Sequence, residues 1–324
     1  MNLSQLAQLA HVSVSTVSKA FSASSDIAPE TRQYIFDIAK EHGCFEKYYK
    51  EKYDRPIIAV ICPEIRSTYY TAFLDVLEQR IRDWGAALLL FTTNFDRQQE
   101  MDILHYCRCF AKVSGIICIG GYAPTHATDE IPVVKIGATN HKTDHADHIQ
   151  ISNKGIYDAI LHLKENGHKK IAFIGEKLTI SKQEHFVKAM NRQKLPVMEE
   201  YLITSDYRFE QAGEDCMQKL LSLSKRPTAI VAAYDYIAFG AINHIRRNGF
   251  CVPEDFSIIG MDNISPSDYQ GIRLTSVKVD FLQVCNRAFD LLQERLKHPH
   301  PQTHVQEVFE TVLIKRDSVT TLHT

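Results

Sequence analysis

An all-helical N-terminal module followed by two α/β lobes, each a doubly wound parallel sheet, is the fold class this chain predicts. Three observations predict it. The first forty-odd residues place apolar side chains at helical spacing. From Pro56 onward, short apolar runs such as IIAVIC (57–62) and KIAFIG (170–175) alternate with helix-period stretches, the pattern of parallel strands covered on both faces. That alternation runs through two successive series in a chain of 324 residues that is 44% hydrophobic, enough to bury more than one core.

The N-terminal stretch LSQLAQLAHVSVSTVSKAF (3–21) is the most informative. Leu3, Leu6, Ala7 and Ala10 fall on one helix face, with Asn2 and Gln5 placed for a capping box. After a break at His11-Val12, Ser13 can cap a second short helix. Val17, Ala20 and Phe21 face inward on it, while Val14, Ser15, Ser18 and Lys19 point out. Pro29 opens a third helix, continued by Ile35, Ile38 and Ala39 and ended by Gly43. Two short helices joined by a turn, the second bearing hydroxyls and a cation outside, describe a helix-turn-helix whose second helix suits a major groove. An ordinary small bundle would not need the serine and threonine density of VSVSTVS, which is poor for a helix that merely packs. No carboxylate precedes Asp26.

Residues 44–56, CFEKYYKEKYDRP, are charged and aromatic without a core period, and read as a linker. The strands and helices that follow run in order. IIAVIC (57–62), AALLLF (86–91), GIICIG (115–120), PVVKIG (132–137) and HIQIS (148–152) form the first series. KIAFIG (170–175), YLIT (201–204), AIVAA (229–233) and FSIIGM (256–261) form the second. Helices are expected between them, around 98–110, 154–165, 181–193, 209–223 and 236–248 among others. Ligands bind beyond the carboxyl ends of such strands, which selects 63–70, 120–124, 176–181, 234–235 and 262–263 as cleft residues.

The stretch VSVSTVSKAF, followed by Ile27-Ala28-Pro29-Glu30-Thr31-Arg32, resembles the headpiece of the LacI/GalR (lactose-repressor and galactose-repressor) family of bacterial transcription regulators. The resemblance continues through GHKKIAFIG (167–175), AIVAAYDYIAFGAI (229–242), GFCVPEDFSIIGMDN (249–263), LTSVKVD (274–280) and TVLIKRDS (311–318). It implies a helix-turn-helix headpiece over 1–45, a hinge over 46–56, and a two-lobed, periplasmic-binding-protein-like sensor over 57–324. Lobe 1 would hold about 57–149 and 279–303, and lobe 2 about 150–278 and 304–324. It implies a homodimer on a palindromic operator, with Ser13, Val14, Ser15, Thr16, Ser18 and Lys19 on the DNA. The family's hinge usually carries Pro-Asn, Ala-Arg and a Leu that wedges into the minor groove, and this chain has none of them. Tyr53 stands near the place of that Leu. Two readings of the segment stand, an aromatic wedge or a plain linker.

The resemblance also implies a sugar or related effector, with Asp262 matching an effector-contacting Asp and Asp235 the Asp that follows Tyr234. Tyr69 and Tyr70 fall in the first-lobe loop that faces the ligand. Lys182 takes the place of an effector-clamping Arg, a point charge instead of a fork, and Ser152 replaces a usual Asp. These departures leave open an effector that is not a sugar, or a protein partner.

Other features narrow the field. The formal charge is −2, and residues 1–55 carry seven basic and seven acidic side chains, so one headpiece alone should bind DNA weakly. The eight cysteines form no CxxC pair and read as buried thiols. His141, Asp144, His145, Asp147 and His148 could hold a metal, but set against ordinary zinc-site patterns the stretch reads as a solvated loop. HPHPQTH (298–304) reads as a surface connection. No GxSxG, Walker loop, HExxH or nucleophile–base pair is present, so neither an enzyme nor a cofactor is expected. No segment approaches the ~18 apolar residues of a membrane helix and no secretory h-region precedes the first helix, so a cytoplasmic location is expected. A solute-binding protein or sugar-acting enzyme on the same two lobes is the competing class.

Overall fold

The computed structural model describes residues 1–22, 25–49, 55–121, 123–124, 131–137, 146–264, 271–298 and 303–322. The chain divides into two compact units, Met1–Arg55 and Pro56–Thr324.

In the first unit, α1 (Leu3–Leu9) opens with the Asn2–Gln5 capping box, and α2 (Val14–Phe21) is capped by Ser13, whose side chain accepts from the Thr16 N–H. His11 makes the turn between them at φ 52, a left-handed conformation that costs a non-glycine residue energy. Helix α3 (Pro29–Glu41) begins with proline, which loses no hydrogen bond at a helix start. Leu6, Ala7, Ala10, Val17, Ala20, Ile35 and Ala39 form the buried core. The Arg32 guanidinium donates to the Ala20 carbonyl at 3.2 Å, tying α3 to the last turn of α2.

The segment read as a linker begins as part of this core. A short helix, α4 (Phe45–Tyr48), lays Phe45, Tyr48 and Tyr49 against Phe21 and Phe36. Phe45 stacks on Tyr49 with ring centroids 4.6 Å apart, and the Tyr48 hydroxyl donates to the Met1 carbonyl at 2.8 Å. The headpiece core therefore extends past 45, because aromatic rings fill the open end of a bundle too small to bury Phe21 by itself. Tyr53 lies outside the described residues.

The second unit carries two six-stranded sheets. The chain runs β1 (Ile57–Cys62), α5 (Thr68–Asp83), β2 (Ala87–Thr92), α6 (Arg97–Cys109), β3 (Gly115–Ile119), β4 (Val133–Ile136) and β5 (Asp147–Ile151). It then crosses to α7 (Lys154–Glu165), β6 (Ile171–Glu176), α8 (Ile180–Arg192), β7 (Leu202–Ser205), α9 (Phe209–Leu221), β8 (Ala229–Ala232), α10 (Asp235–Arg247), β9 (Ser257–Asp262) and β10 (Thr275–Lys278). The final elements are α11 (Phe281–Lys297), β11 (Gln306–Phe309) and β12 (Val312–Ile314). The first sheet is ordered β11-β5-β4-β3-β1-β2 and the second β12-β10-β9-β8-β6-β7. All pairings are parallel except β10 with β12. Each sheet is buried under helices on both sides, which is why its central strands are continuous apolar runs.

Two expectations need correction. Residues 306–309 belong to the first sheet, where β11 pairs with β5, so the last crossing falls after Glu310 and not at 304. Gln306–Phe309 is an edge strand whose burial alternates, and such a strand has no apolar run to announce it. Asp147 and His148, read with a solvated loop, are instead buried in β5. Arg295 grips the Asp147 carboxylate with two bonds of 2.7 and 2.8 Å, and the Val305 N–H adds a third. His141, Asp144 and His145 lie outside the described residues. Among the cysteines, Cys109 and Cys251 are exposed and the other six are buried.

The chain passes between the sheets at 152–153, 279–280 and 310–311, all on the β5/β11 and β10/β12 side. There the Gly155 N–H donates to Thr311 Oγ1 at 2.8 Å, and Thr311 Oγ1 donates to the Ser152 carbonyl. A side chain at Gly155 would run into Val277. The hinge is thus close-packed, and the opposite edge of each sheet is not covalently joined.

Because Phe45 completes one unit only, Phe45→Ala should lower the stability of the headpiece by roughly 1–3 kcal/mol and shift its transition down. The transition of 56–324 should stay in place. Calorimetry on the intact protein checks both, and a single shifted transition would contradict the division.

Candidate functional site

Two sites emerge, one on each unit. On the first, the core fixes the register of α2. With Val17 and Ala20 fully buried, Val14, Ser15, Ser18 and Lys19 are exposed on the opposite face. Ser13 Oγ lies 2.7 Å from both Ser15 Oγ and Thr16 Oγ1, so three hydroxyls cluster at the helix start. Thr16 is half-buried. Lys19 Nζ sits 3.2 Å from Asp26 in an exposed pair, an interaction weak enough to be exchanged for a phosphate.

On the second unit, the strand ends enclose a cavity of about 240 Å³ lined by Tyr69, Gly137, Ile151, Ser152, Asn153, Ser181, Lys182, Asp262 and Thr311, with Met261 and Val277 among its apolar walls. An adjoining one of about 370 Å³ shares Tyr69 and adds Tyr70, Gly120 and Leu178. Lys182 donates to the Ala233 carbonyl at 2.8 Å and reaches Asp262 Oδ1 at 3.4 Å. Burial holds the Asp262 carboxyl above the usual range, with Lys182 pulling the other way. Burial likewise pushes the Tyr69 phenol up, and the Asp262 charge adds to it. Asp262 and Asn263 both have positive φ, 90 and 50, strain of the kind stored where a carboxylate must be aimed. Asn263 is held by Arg316 at 2.7 Å.

Two of the expected cleft residues are elsewhere. Asp235 is fully buried: Ser276 Oγ donates to it at 2.6 Å and the Ile264 N–H at 2.9 Å. Its first-turn position on α10 puts it against the backbone of Gly260, where a side chain would collide with it, so it ties β9 and β10 to α10 and does not line the cavity. The Tyr234 hydroxyl donates to Glu176 at 2.8 Å and accepts the Phe209 N–H at 3.0 Å, also away from the cavity lining.

What residue reading missed is the other end of that chain of bonds. Arg208, just beyond β7, donates from both terminal nitrogens to the two oxygens of Glu64 at 2.7 Å each. Its Nε donates to both oxygens of Glu176 at 3.2 Å. Glu64 follows β1 and Glu176 ends β6, so both fell in the strand-end loops selected above. Applying the same rule to the short strand β7 would have found Arg208.

The profile for bacterial regulatory proteins, lacI family, matches residues 2–44, and a periplasmic binding protein-like domain matches 160–319. The HTH-type transcriptional repressor PurR of Actinobacillus pleuropneumoniae serotype 3 (strain JL03) is 31% identical over 342 residues, 99% of each chain. The chain belongs to the lacI family of bacterial regulatory proteins. The HTH-type transcriptional repressor CytR of Escherichia coli (strain K12) is 27% identical over 92% of this chain and 90% of its own. The fold is shared with the lac repressor dimer bound to operator and the anti-inducer ONPF, at 20% identity, TM-score 0.71 and 99% of each chain. It is shared also with the transcriptional regulator CelR–cellobiose complex, at 22% identity, TM-score 0.69, and 98% of this chain and 99% of that one. As a lacI-family protein the chain is a DNA-binding transcription regulator and not an enzyme. Among the described residues no helix is long and apolar enough to cross a membrane.

Burial pushes the Asp235 carboxyl up to about 8 from 3.8, with Ser276 opposing. The folded state then holds a proton that the unfolded chain releases between those values, so this group's contribution to stability falls as pH rises through that window. Asp235→Asn should flatten that part of the stability curve in urea melts from pH 5 to 8. Parallel curves for the variant and the parent would contradict a raised Asp235.

Proposed function

We propose that the chain represses transcription as a homodimer, setting the second helix of each headpiece into successive major grooves of a near-palindromic operator. The observation that carries this is the exposed face of α2, where Val14, Ser15, Ser18 and Lys19 stand clear of a core that buries Val17 and Ala20. A methyl group, hydroxyls and an ammonium are the groups that meet thymine methyls, base edges and phosphates. Ser13 and Thr16 keep the start of the helix ordered, and Tyr53 is the candidate for a minor-groove contact.

Dimerisation is supported by the β2 edge. Leu90 is exposed on that edge strand, and Met101, Tyr106 and Phe110 are exposed large apolar side chains on and just after the helix that follows it, α6. Tyr106 and Phe110 stack with centroids 6.1 Å apart, and Phe110 is 67% exposed. An uncovered apolar edge strand invites pairing, and a second copy of this chain, presenting the same patch, is the occupant a two-fold operator requires. Half-sites would then lie about one helical turn apart.

The effector is a small polar metabolite of sugar type, held in the cytoplasm between Tyr69 and Tyr70 on one side and Lys182 and Asp262 on the other. Hydroxyl, amide and carboxylate groups with an aromatic ring suit a polyol with one apolar face, and CelR, a protein of this fold, is known as a cellobiose complex. A recessed cavity of about 240 Å³ favours a small molecule over a protein partner. Binding shifts operator affinity only as far as the effector prefers one lobe arrangement.

Lys19→Ala should weaken operator binding evenly across operator variants and reduce the salt slope by roughly 1, measured by anisotropy at several salt concentrations. An unchanged slope would remove Lys19 from the phosphate contacts. Phe110→Glu should yield monomers in sedimentation at micromolar concentration. Persistent dimers would place the interface elsewhere.

A further inference from the structure

We propose that Glu64, Arg208 and Glu176 form a latch that holds the two lobes closed, so that lobe closure does not depend on the effector alone. As a statement about regulation, it rests on the reading of the cleft as the effector site.

Topology gives the first reason. The three crossings lie at the β5/β11 and β10/β12 side of the sheets, while Glu64 follows β1, and Glu176 and Arg208 end β6 and follow β7. The latch residues thus sit toward the edge where no chain joins the lobes, and where a hinge motion would separate them most. Glu64 is the first-lobe half, and Arg208 with Glu176 the second-lobe half.

Geometry gives the next. The Glu64 contact is a two-bond fork, the arrangement that guanidinium and carboxylate make best. The Glu64 and Glu176 side chains are only 7% and 4% exposed, and that of Arg208 28%. The bond to Glu64 holds the Arg208 guanidinium more firmly charged than usual. Phe95 from the first lobe and Phe209 from the second flank it, with the guanidinium carbon 5.4 and 4.7 Å from their centroids. First-lobe Arg66 packs in turn over the Phe209 ring. Both rings sit on left-handed backbone, Phe95 at φ 62 and Phe209 at φ 56, with Asn94 at φ 50. Each lobe therefore holds a strained loop against the same cation.

Such a pair is suited to switching. A buried ion pair gains little over its separately hydrated partners, so opening, which parts Glu64 from Arg208 and returns that fork to water, competes closely with closure. Removing the cation alone is different, because it leaves two buried carboxylates facing each other across the gap. Tyr70 packs on Phe95 at 6.1 Å and also lines the cleft, so a ligand there touches the latch through one ring.

The test is hydrogen–deuterium exchange on the intact protein without added effector, comparing the parent with Arg208→Met, Glu64→Gln and, as a control, Arg247→Met, which loses an exposed second-lobe pair with Glu214 outside the cleft lining. The segments to follow are 117–121 and 134–137, first-lobe strand ends that contain cleft-lining residues and none of the latch residues. Severalfold faster exchange there in Arg208→Met and Glu64→Gln, with the control unchanged, is the expected result. Loss of a merely local contact would leave these segments alone, so unchanged exchange in Glu64→Gln overturns the latch even if Arg208→Met fails to fold. Operator anisotropy on the same samples separates the two proposals. If the lobes open and affinity shifts by a factor of roughly 5 or more, both stand. If the lobes open and affinity does not move, the latch stands and the link from cleft to operator falls.

Discussion

One guanidinium joins the lobes of this regulator where the chain does not. The three strand crossings fix one side of the two sheets, and the far side is closed by side chains, chiefly the fork between Arg208 and Glu64. Everything in the cleft depends on that closure. Tyr69 from the first lobe and Lys182 with Asp262 from the second line one cavity only while the lobes face each other. The cost of burying Asp262, seen in its raised carboxyl, is offset in part by Lys182 on the same lobe.

The headpiece obeys a simpler constraint. Small residues (Ala7, Ala10, Ala20, Ala39) let three short helices approach closely, and that approach fixes which side of α2 faces out. The serine-rich side is outward because the alanine and valine side has nowhere else to go. The aromatic cluster of Phe21, Phe36, Phe45 and Tyr49 then closes the bundle with residues borrowed from beyond α3. Aromatics spent on this core are not available as groove wedges.

Much of this was legible from residues alone. The capping box at Asn2 and Gln5, the Ser13 cap, the inward face of α2 and the alternating strands appear as read, because each depends on neighbours within a few positions. Legibility failed where a residue's fate is decided by distant partners. Asp235 looks like a cleft carboxylate until Ser276 and the Ile264 amide are seen to enclose it. Asp147 looks like a loop residue until Arg295, remote in sequence, reaches it. Strand β11 lacks an apolar run because it lies at an edge, and Phe45 lacks a helical period because a single turn cannot show one. Arg208 was missed because the strand-end rule was not carried to the short strand β7, and its bond to Glu64, 144 positions away, leaves no local pattern.

The central claim, that an exposed helix on each of two paired chains reads one symmetric stretch of duplex, is tested most directly by titrating the full-length protein against a labelled duplex carrying the near-palindrome upstream of its regulated genes. The account predicts salt-dependent binding with two chains per duplex, and affinity far above that for a scrambled sequence of equal length. Equal affinity for the two duplexes, or one chain per duplex at saturation, would contradict it.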